Sequence, residues 1–328
     1  MKITVIDDMA LTTDQTDRLQ RCGEVRIFSG VPVRVVDILA RAAGAEIVVA
    51  SWTKIDDTIL SGLPGLKLIS IWATGYDNVD VDAATRRKVA IAHVPGYATE
   101  AVAEMVFGLI LAITRRVIAA DRDVRLERKL NWHLYQGTEL HGKLLGILGT
   151  GAIGARVAEI AGAFGLRVIA HDAAPQRDLA QQGRISYLPL DKVLAQSDIL
   201  SLHLPLTADT SGWFSSRQFA LMKPSAVFIN TARAAIVDQA ALWDALHTGK
   251  IAAAGLDDLD LDQDSAQGIL RAENVVLTPH IGFNTREAII KKSEVCIDNI
   301  VSFLQGRPQH IVNPVVLENS PYATQGIC

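Results

Sequence analysis

Residues 142–172, GKLLGILGTGAIGARVAEIAGAFGLRVIAHD, constrain the fold more than any other stretch of the chain. Residues 143–148 are an apolar run that reads as a buried strand, and Gly149-Thr150-Gly151-Ala152-Ile153-Gly154 follow it directly. Val157, Ile160, Ala161 and Phe164 then recur at helical spacing, and 166–170 form a second strand that ends near Asp172. Three glycines in this order allow a tight turn, a close approach to a pyrophosphate, and packing of helix on strand. The helix N-terminus offers free N–H groups and the positive end of its dipole to phosphate oxygens. Asp172 lies 18 residues beyond Gly154, close to where an acid meets the ribose hydroxyls of NAD rather than the 2′-phosphate of NADP. Taken singly, GxGxxG marks many ordinary strand–helix turns. Here strand, turn, helix, strand and acid fall in sequence, which predicts a dinucleotide site.

A length of 328 residues accommodates about two domains, each with its own core. With 49% hydrophobic and 21% charged residues, the composition is that of a compact globular protein. A net charge of −4 speaks against nucleic acid or an anionic membrane as partner. Cys22, Cys296 and Cys328 are far apart and odd in number, so no disulfide framework is expected and a reducing cytoplasm fits. The opening MKITVIDDMA does not read as a secretory signal, and no apolar run reaches the ~20 residues needed to span a bilayer. No His/Cys spacing predicts a metal.

Before the glycine turn, strands are predicted at 3–6, 25–28, 46–50, 66–71 and 89–93, with helices at 13–21, 33–43, 57–61 and 82–87. After it, strands follow at 184–187, 199–202, 226–230, 252–256 and 275–277, with helices at 189–196, 215–222 and 238–248. This alternation predicts two doubly wound parallel sheets. Thr99 is placed to cap a helix over 100–115, where the chain passes into the second domain, and a helix over 286–304 follows that domain's last strand. The expected division is residues 1–98 plus 287–328 for a first domain and 99–286 for the nucleotide domain. Residues 121–140 are charged and irregular; with the projecting stretch 118–142 they read either as a dimerisation arm or as a solvated helix–loop. The last ten residues, small and polar, are expected to fray.

Four strand ends carry candidate chemistry. Ala73, Thr74 and Gly75 follow a strand of the first domain and form either a plain turn or a concavity of backbone N–H groups for a carboxylate. Arg233 follows 226–230, where a guanidinium can hold a carboxylate and polarise a carbonyl. Five acids lie between 257 and 264 after the next strand; most belong to a solvated loop, and one can orient a histidine. His280 follows the strand 275–277 and Pro279, a position that suits a general acid/base. Trp52 and Tyr76 line a substrate pocket or merely pack, and Trp132 lies in the projecting arm.

The segments WATGYDNVD, VPGYATEAVAE, ELHGKLLGILGTGAIG, LHLPLT, NTARAAIVD, AAGLDDL and TPHIG occur in an order that resembles the NAD-dependent D-isomer-specific 2-hydroxyacid dehydrogenases over nearly the whole chain. The first two are most similar to the glycerate dehydrogenase and hydroxypyruvate or glyoxylate reductase branch. The resemblance implies a Rossmann NAD-binding domain inserted into a flavodoxin-like substrate domain, a homodimer, and NAD as cofactor. It implies cofactor contacts at Gly149, Gly151, Ala152, Ile153, Gly154, Asp172, His203, Pro205, Thr210, Thr231, Ala232, Arg233, Asp257, His280, Gly282 and Thr99. Ala73, Thr74, Gly75, Arg233 and His280 would meet the substrate.

By the same resemblance Arg233 is the substrate arginine and His280 the proton donor. The family's histidine-pairing glutamate, five residues after the aspartate of A-x-L-D, falls here on Asp262, with Asp260 as the alternative. Gln263 stands where the family has proline, and Ala234 and Ala235 where it has glycine. The implied reaction moves a hydride between NAD(H) and C2 of a small D-2-hydroxy or 2-oxo acid such as glyoxylate or hydroxypyruvate, in a cleft between the domains. Formate- or phosphite-type dehydrogenation, and a non-catalytic NAD-sensing corepressor, are the other readings. Arg177, close to Asp172, leaves room for some NADP, and no separate regulatory domain is expected beyond residue 310.

Overall fold

The computed structural model describes residues 1–128 and 130–318. The expectation of a frayed end falls on 319–328 and lies outside the described residues. By compactness the chain divides into two units, Met1–Tyr97 with the chain from Thr285 onward, and Ala98–Asn284.

In the first unit the strands are β1 (Lys2–Val5), β2 (Glu24–Ile27), β3 (Ile47–Ala50), β4 (Leu68–Ile71) and β5 (Ala90–Ala92). They form one parallel sheet in the order β2-β1-β3-β4-β5, the flavodoxin-like order. The inner strands IVVA and LISI are buried at every position, as expected where helices cover both faces. The long helix Arg286–Leu304 returns to this unit. Its start is fixed by Thr285, which accepts from the Ala288 N–H. Asn313 ties the chain that follows to β5 by accepting from Ile91 N and donating to Val89 O.

The second unit holds β6 (Leu144–Leu148), β7 (Arg167–His171), β8 (Ser186–Tyr187), β9 (Ile199–Leu202), β10 (Val227–Asn230), β11 (Ala253–Leu256) and β12 (Val275–Leu277). Their order is β12-β11-β10-β9-β6-β7-β8, all parallel. This is the Rossmann order with one more strand at its edge. Side chains alternate between two cores, as strand geometry requires. Leu200, Leu202 and Phe228 enter one with Phe214 and Phe219. Ile199, Val227 and Ile229 enter the other with Val106, Ile110 and Val157. Gly255 in β11 lets the helix Thr99–Thr114 come close, since a Cβ there would lie 3.0 Å from that of Leu109.

One local expectation is corrected. The cap position of the helix Thr99–Thr114 is Ala98, which caps through no side chain, and Thr99 is the first helical residue. Residues 117–127 form a helix none of whose side chains is buried, followed by a short turn at Trp132–Tyr135, in keeping with the solvated helix–loop that the sequence offered as one alternative. With no side chain fully buried, the helix carries little apolar period to read.

Candidate active site

The order of strands in the seven-stranded sheet reverses between β6 and β9, and ligands bind beyond the carboxyl ends at such a point. The glycine turn sits there. Gly149 has φ +91°, and a Cβ on it would lie 2.6 Å from the His203 carbonyl oxygen. A Cβ on Gly154 would lie 2.1 Å from Gly149 O, so the helix Ala152–Ala163 rests directly on the turn. At Gly151 a Cβ would meet nothing within 4 Å. No neighbour in the protein requires glycine at that position, which fits a group approaching from outside. The N–H groups of Ala152, Ile153 and Gly154 precede the first intrahelical bond, Ala155 N to Gly151 O at 2.9 Å, and lead out of the helix end.

Asp172 stands one residue past β7. It accepts from Thr150 N (2.5 Å), Thr150 Oγ1 (2.9 Å) and Ala174 N (2.8 Å). Burial would raise its carboxyl, but these donors and nearby His171 hold it below the usual carboxylate range. Three donors on about four acceptor sites leave one on Oδ1 for a further hydroxyl. Thr231, just after β10, has a buried Oγ1 without a hydrogen-bond partner, the one such side-chain atom among the described residues. Leaving it so costs about 1–3 kcal/mol, which a ligand group would offset. His203 is pushed down to about 4 by burial and is neutral; its Nε2 meets Ser201 Oγ at 2.9 Å. Thr210 holds its own loop, donating to Pro205 O at 2.6 Å. The cradle, the carboxylate and the orphaned hydroxyl together fit a dinucleotide.

Beyond β10, β11 and β12 the predicted catalytic side chains are held by local hydrogen bonds. Asn230 folds the turn after β10, accepting from Ala232 N (3.0 Å) and donating to Arg233 O (2.9 Å). Neither Ala234 nor Ala235 has a positive φ, so alanine serves where the resemblance expects glycine. Asp257 is buried and clamps the turn after β12: Oδ1 accepts from Thr278 Oγ1 (2.6 Å) and Ile281 N (2.9 Å), and Oδ2 from Gly282 N (2.7 Å). Inside this clamp His280 adopts φ +55°. The sequence reading missed this use of Asp257.

The acid beside His280 is Asp258, with Oδ1 3.7 Å from Nδ1, an ion-pair separation. Its Oδ2 accepts from Ala234 N at 2.9 Å, so it also braces the turn that carries Arg233. Burial would raise its carboxyl; the His280 ring, the Ala234 N–H and the Arg233 charge outweigh this and hold it low. The assignment to Asp262, or alternatively Asp260, is thereby corrected. Gln239 grips the Asp260 backbone in both directions, Nε2 to O and N to Oε1, each at 3.0 Å. Asp262, exposed, gives its N–H to Asp260 at 3.1 Å. That anchor holds the acidic loop on the helix Gln239–His247, so the nearer of the acids meets the imidazole.

Ala73, Thr74 and Gly75 follow β4 in the other unit. Their carbonyls are used: Ala73 O accepts from Val94 N (2.8 Å), and Thr74 O lies 2.8 Å from His93 Nδ1. Their three N–H groups have no partner among the described residues, the arrangement an anion requires. At the neighbouring strand ends, buried Asp7 accepts from the N–H groups of Ser51, Trp52 and Thr53 and from the Thr53 hydroxyl. Trp52 and Tyr76 are exposed.

Residues 107–282 match the family described as D-isomer specific 2-hydroxyacid dehydrogenase, NAD binding domain. The glyoxylate reductase of Aeropyrum pernix is 41% identical over 290 residues, 86% of this chain and 87% of that protein. The chain belongs to the D-isomer-specific 2-hydroxyacid dehydrogenases. The glyoxylate/hydroxypyruvate reductase B of Shigella boydii is 36% identical over 97% of this chain and all of that protein. Among solved structures, an acyclic imino acid reductase in complex with NADPH and D-Arg has a TM-score of 0.88 at 32% identity, covering 95% of this chain and 100% of that one. This dehydrogenase is thus an NAD-dependent oxidoreductase of two parallel-sheet α/β domains. Among its described residues, no group of three or more His, Cys, Asp or Glu is placed to hold a metal ion.

Proposed function

We propose that this dehydrogenase reduces a small 2-oxo acid, glyoxylate or hydroxypyruvate, to the corresponding 2-hydroxy acid, of D configuration where C2 becomes a stereocentre. The observation that carries the reading is the joining of Arg233 and His280 through Asp258 at the edge that also holds the glycine cradle. With its pyrophosphate held on that cradle, the reduced dinucleotide would supply the hydride that C2 of the substrate takes up. Arg233 polarises the 2-oxo group and stabilises the negative charge that develops on its oxygen. His280, protonated and oriented by Asp258, gives that oxygen its proton. The N–H groups of residues 73–75 take the substrate carboxylate, which makes the first unit the substrate domain. Asp172 accepts from the ribose and repels a 2′-phosphate, so NADH is used in preference to NADPH. The test is loss of NADH absorbance with a panel of 2-oxo acids. Turnover of glyoxylate or hydroxypyruvate is expected, and none on any 2-oxo acid would sink the reading.

The partner in this reading is a second copy of the chain. Val117, Ile118, Leu126, Leu130 and Trp132, in or beside the arm, are all more than half exposed, Leu130 at 84%, apolar surface that association would cover. Sedimentation of the purified protein should give twice the monomer mass. Place of action in the cytoplasm accords with Cys22 and Cys296 as free thiols, and none of the described helices is long and apolar enough to cross a membrane.

A further inference from the structure

Lys292, on the helix Arg286–Leu304, is 1% exposed. Its Nζ lies 3.8 Å from the centre of the Trp72 ring and 5.1 Å from that of Tyr97. Trp72 is the residue just before the 73–75 loop, and its own Nε1 donates to Ser293 Oγ at 3.0 Å. Tyr97 follows the loop after β5, whose Val94 N–H holds Ala73 O. The side chain thus stands at the root of three backbone N–H groups that share no bond with the described residues. Nothing in the proposed chemistry uses it.

We propose that Lys292 sets the affinity and charge selectivity of the 73–75 loop: an ammonium enclosed by Trp72 and Tyr97 adds a fixed positive potential to the backbone N–H groups that take the substrate carboxylate. This rests on the reading of that loop given above. A neutral carbonyl compound gains nothing from the potential, so Lys292 discriminates 2-oxo acids from their esters. Burial pushes the ammonium down to about 7, while the two ring faces favour the charged form. An anion in the loop favours protonation, so affinity is full below about pH 7 and falls as pH rises past it. Among the groups around Lys292, Cys296 lies one turn along the helix and is pushed up to about 12, so it stays neutral. Lys291 donates to Gly96 O at 3.1 Å, and from the packed helix Thr13–Gln20 Arg18 pairs with Asp298 at 2.6 Å.

Lys292→Met keeps the apolar stem and removes the charge. At pH 6.5, KM for glyoxylate should rise about tenfold with kcat within about twofold, and the Kd of NADH should not move. kcat/KM for methyl glyoxylate should stay as in the wild type, and the rise of KM with pH around 7 should flatten. Gly75→Pro, which deletes one loop N–H, serves as the reference. If Gly75→Pro raises KM and Lys292→Met does not, the role of Lys292 is overturned while the loop reading stands. If Gly75→Pro leaves KM unchanged, the loop reading falls and this inference with it. Should Lys292→Met not fold, nitrogen NMR of the wild-type Nζ decides: saturating oxamate with NADH should move its titration upward, and an unmoved titration refutes the proposal.

Discussion

At the carboxyl edge of the seven-stranded sheet the groups aimed at a ligand are side chains: Arg233, His280, Asp258 and Asp172. At the same edge of the five-stranded sheet they are backbone N–H groups, those of residues 73–75, with Asp7 spending its carboxylate on the backbone of 51–53. The difference follows from what each partner demands. Polarising a carbonyl and delivering a proton need groups with charge and a suitable pKa, which only side chains provide. Holding a small carboxylate needs convergent donors of fixed geometry, which a stitched loop provides without side-chain entropy. In the proposed reading one edge does chemistry and the other holds the substrate.

That contrast breaks most sharply at its strongest point. His280→Ala and Arg233→Ala should each lower kcat by about 10³-fold while fluorescence titration still detects NADH binding; near-normal turnover in either would move the chemistry elsewhere. Next, Asp258→Asn should lower kcat about 10²-fold, and Asp262→Asn should leave it within about twofold. The reverse ranking, read from the same steady-state assay, would return the histidine's partner to the distal acid. Asp172→Ser should cut the preference for NADH over NADPH about tenfold, measured as the ratio of kcat/KM values.

A last effect concerns stability at the other edge. Lys292 titrates near 7 in the folded protein against 10.5 when unfolded. Between those values the unfolded chain binds the extra proton, so stability rises with pH across that window and is lower below it. At about 1.4 kcal/mol per unit, the rise is on the order of a few kcal/mol. Urea unfolding at pH 6.5 and pH 9 should show it in the wild type and not in Lys292→Met.

The legible parts of the molecule are those whose physics is local. The cradle and Asp172 could be read because strand, turn, helix and acid each carry their own period and fall 18 residues apart from Gly154 to Asp172. Arg233 and His280 could be read because apolar strands announce their ends. Asp258 could not, since the choice among five neighbouring acids is made by Gln239, far back in the chain, anchoring Asp260. An acid immediately beside Asp257 was the available signal. Lys292 was hidden in KKSE, which reads as a solvated helix face; its burial is set by Trp72 and Tyr97, some two hundred residues away. The helix at 117–127 buries none of its side chains fully and so left little apolar period to read.

His280 sits at φ +55°, a region that costs a residue with a Cβ about 1–2 kcal/mol and costs glycine almost nothing. Folding and chemistry therefore ask for different residues at this one position. His280→Gly should raise the melting temperature while abolishing turnover. A laboratory population of this gene selected for heat resistance, with no requirement for activity, would be expected to discard the proposed proton donor early.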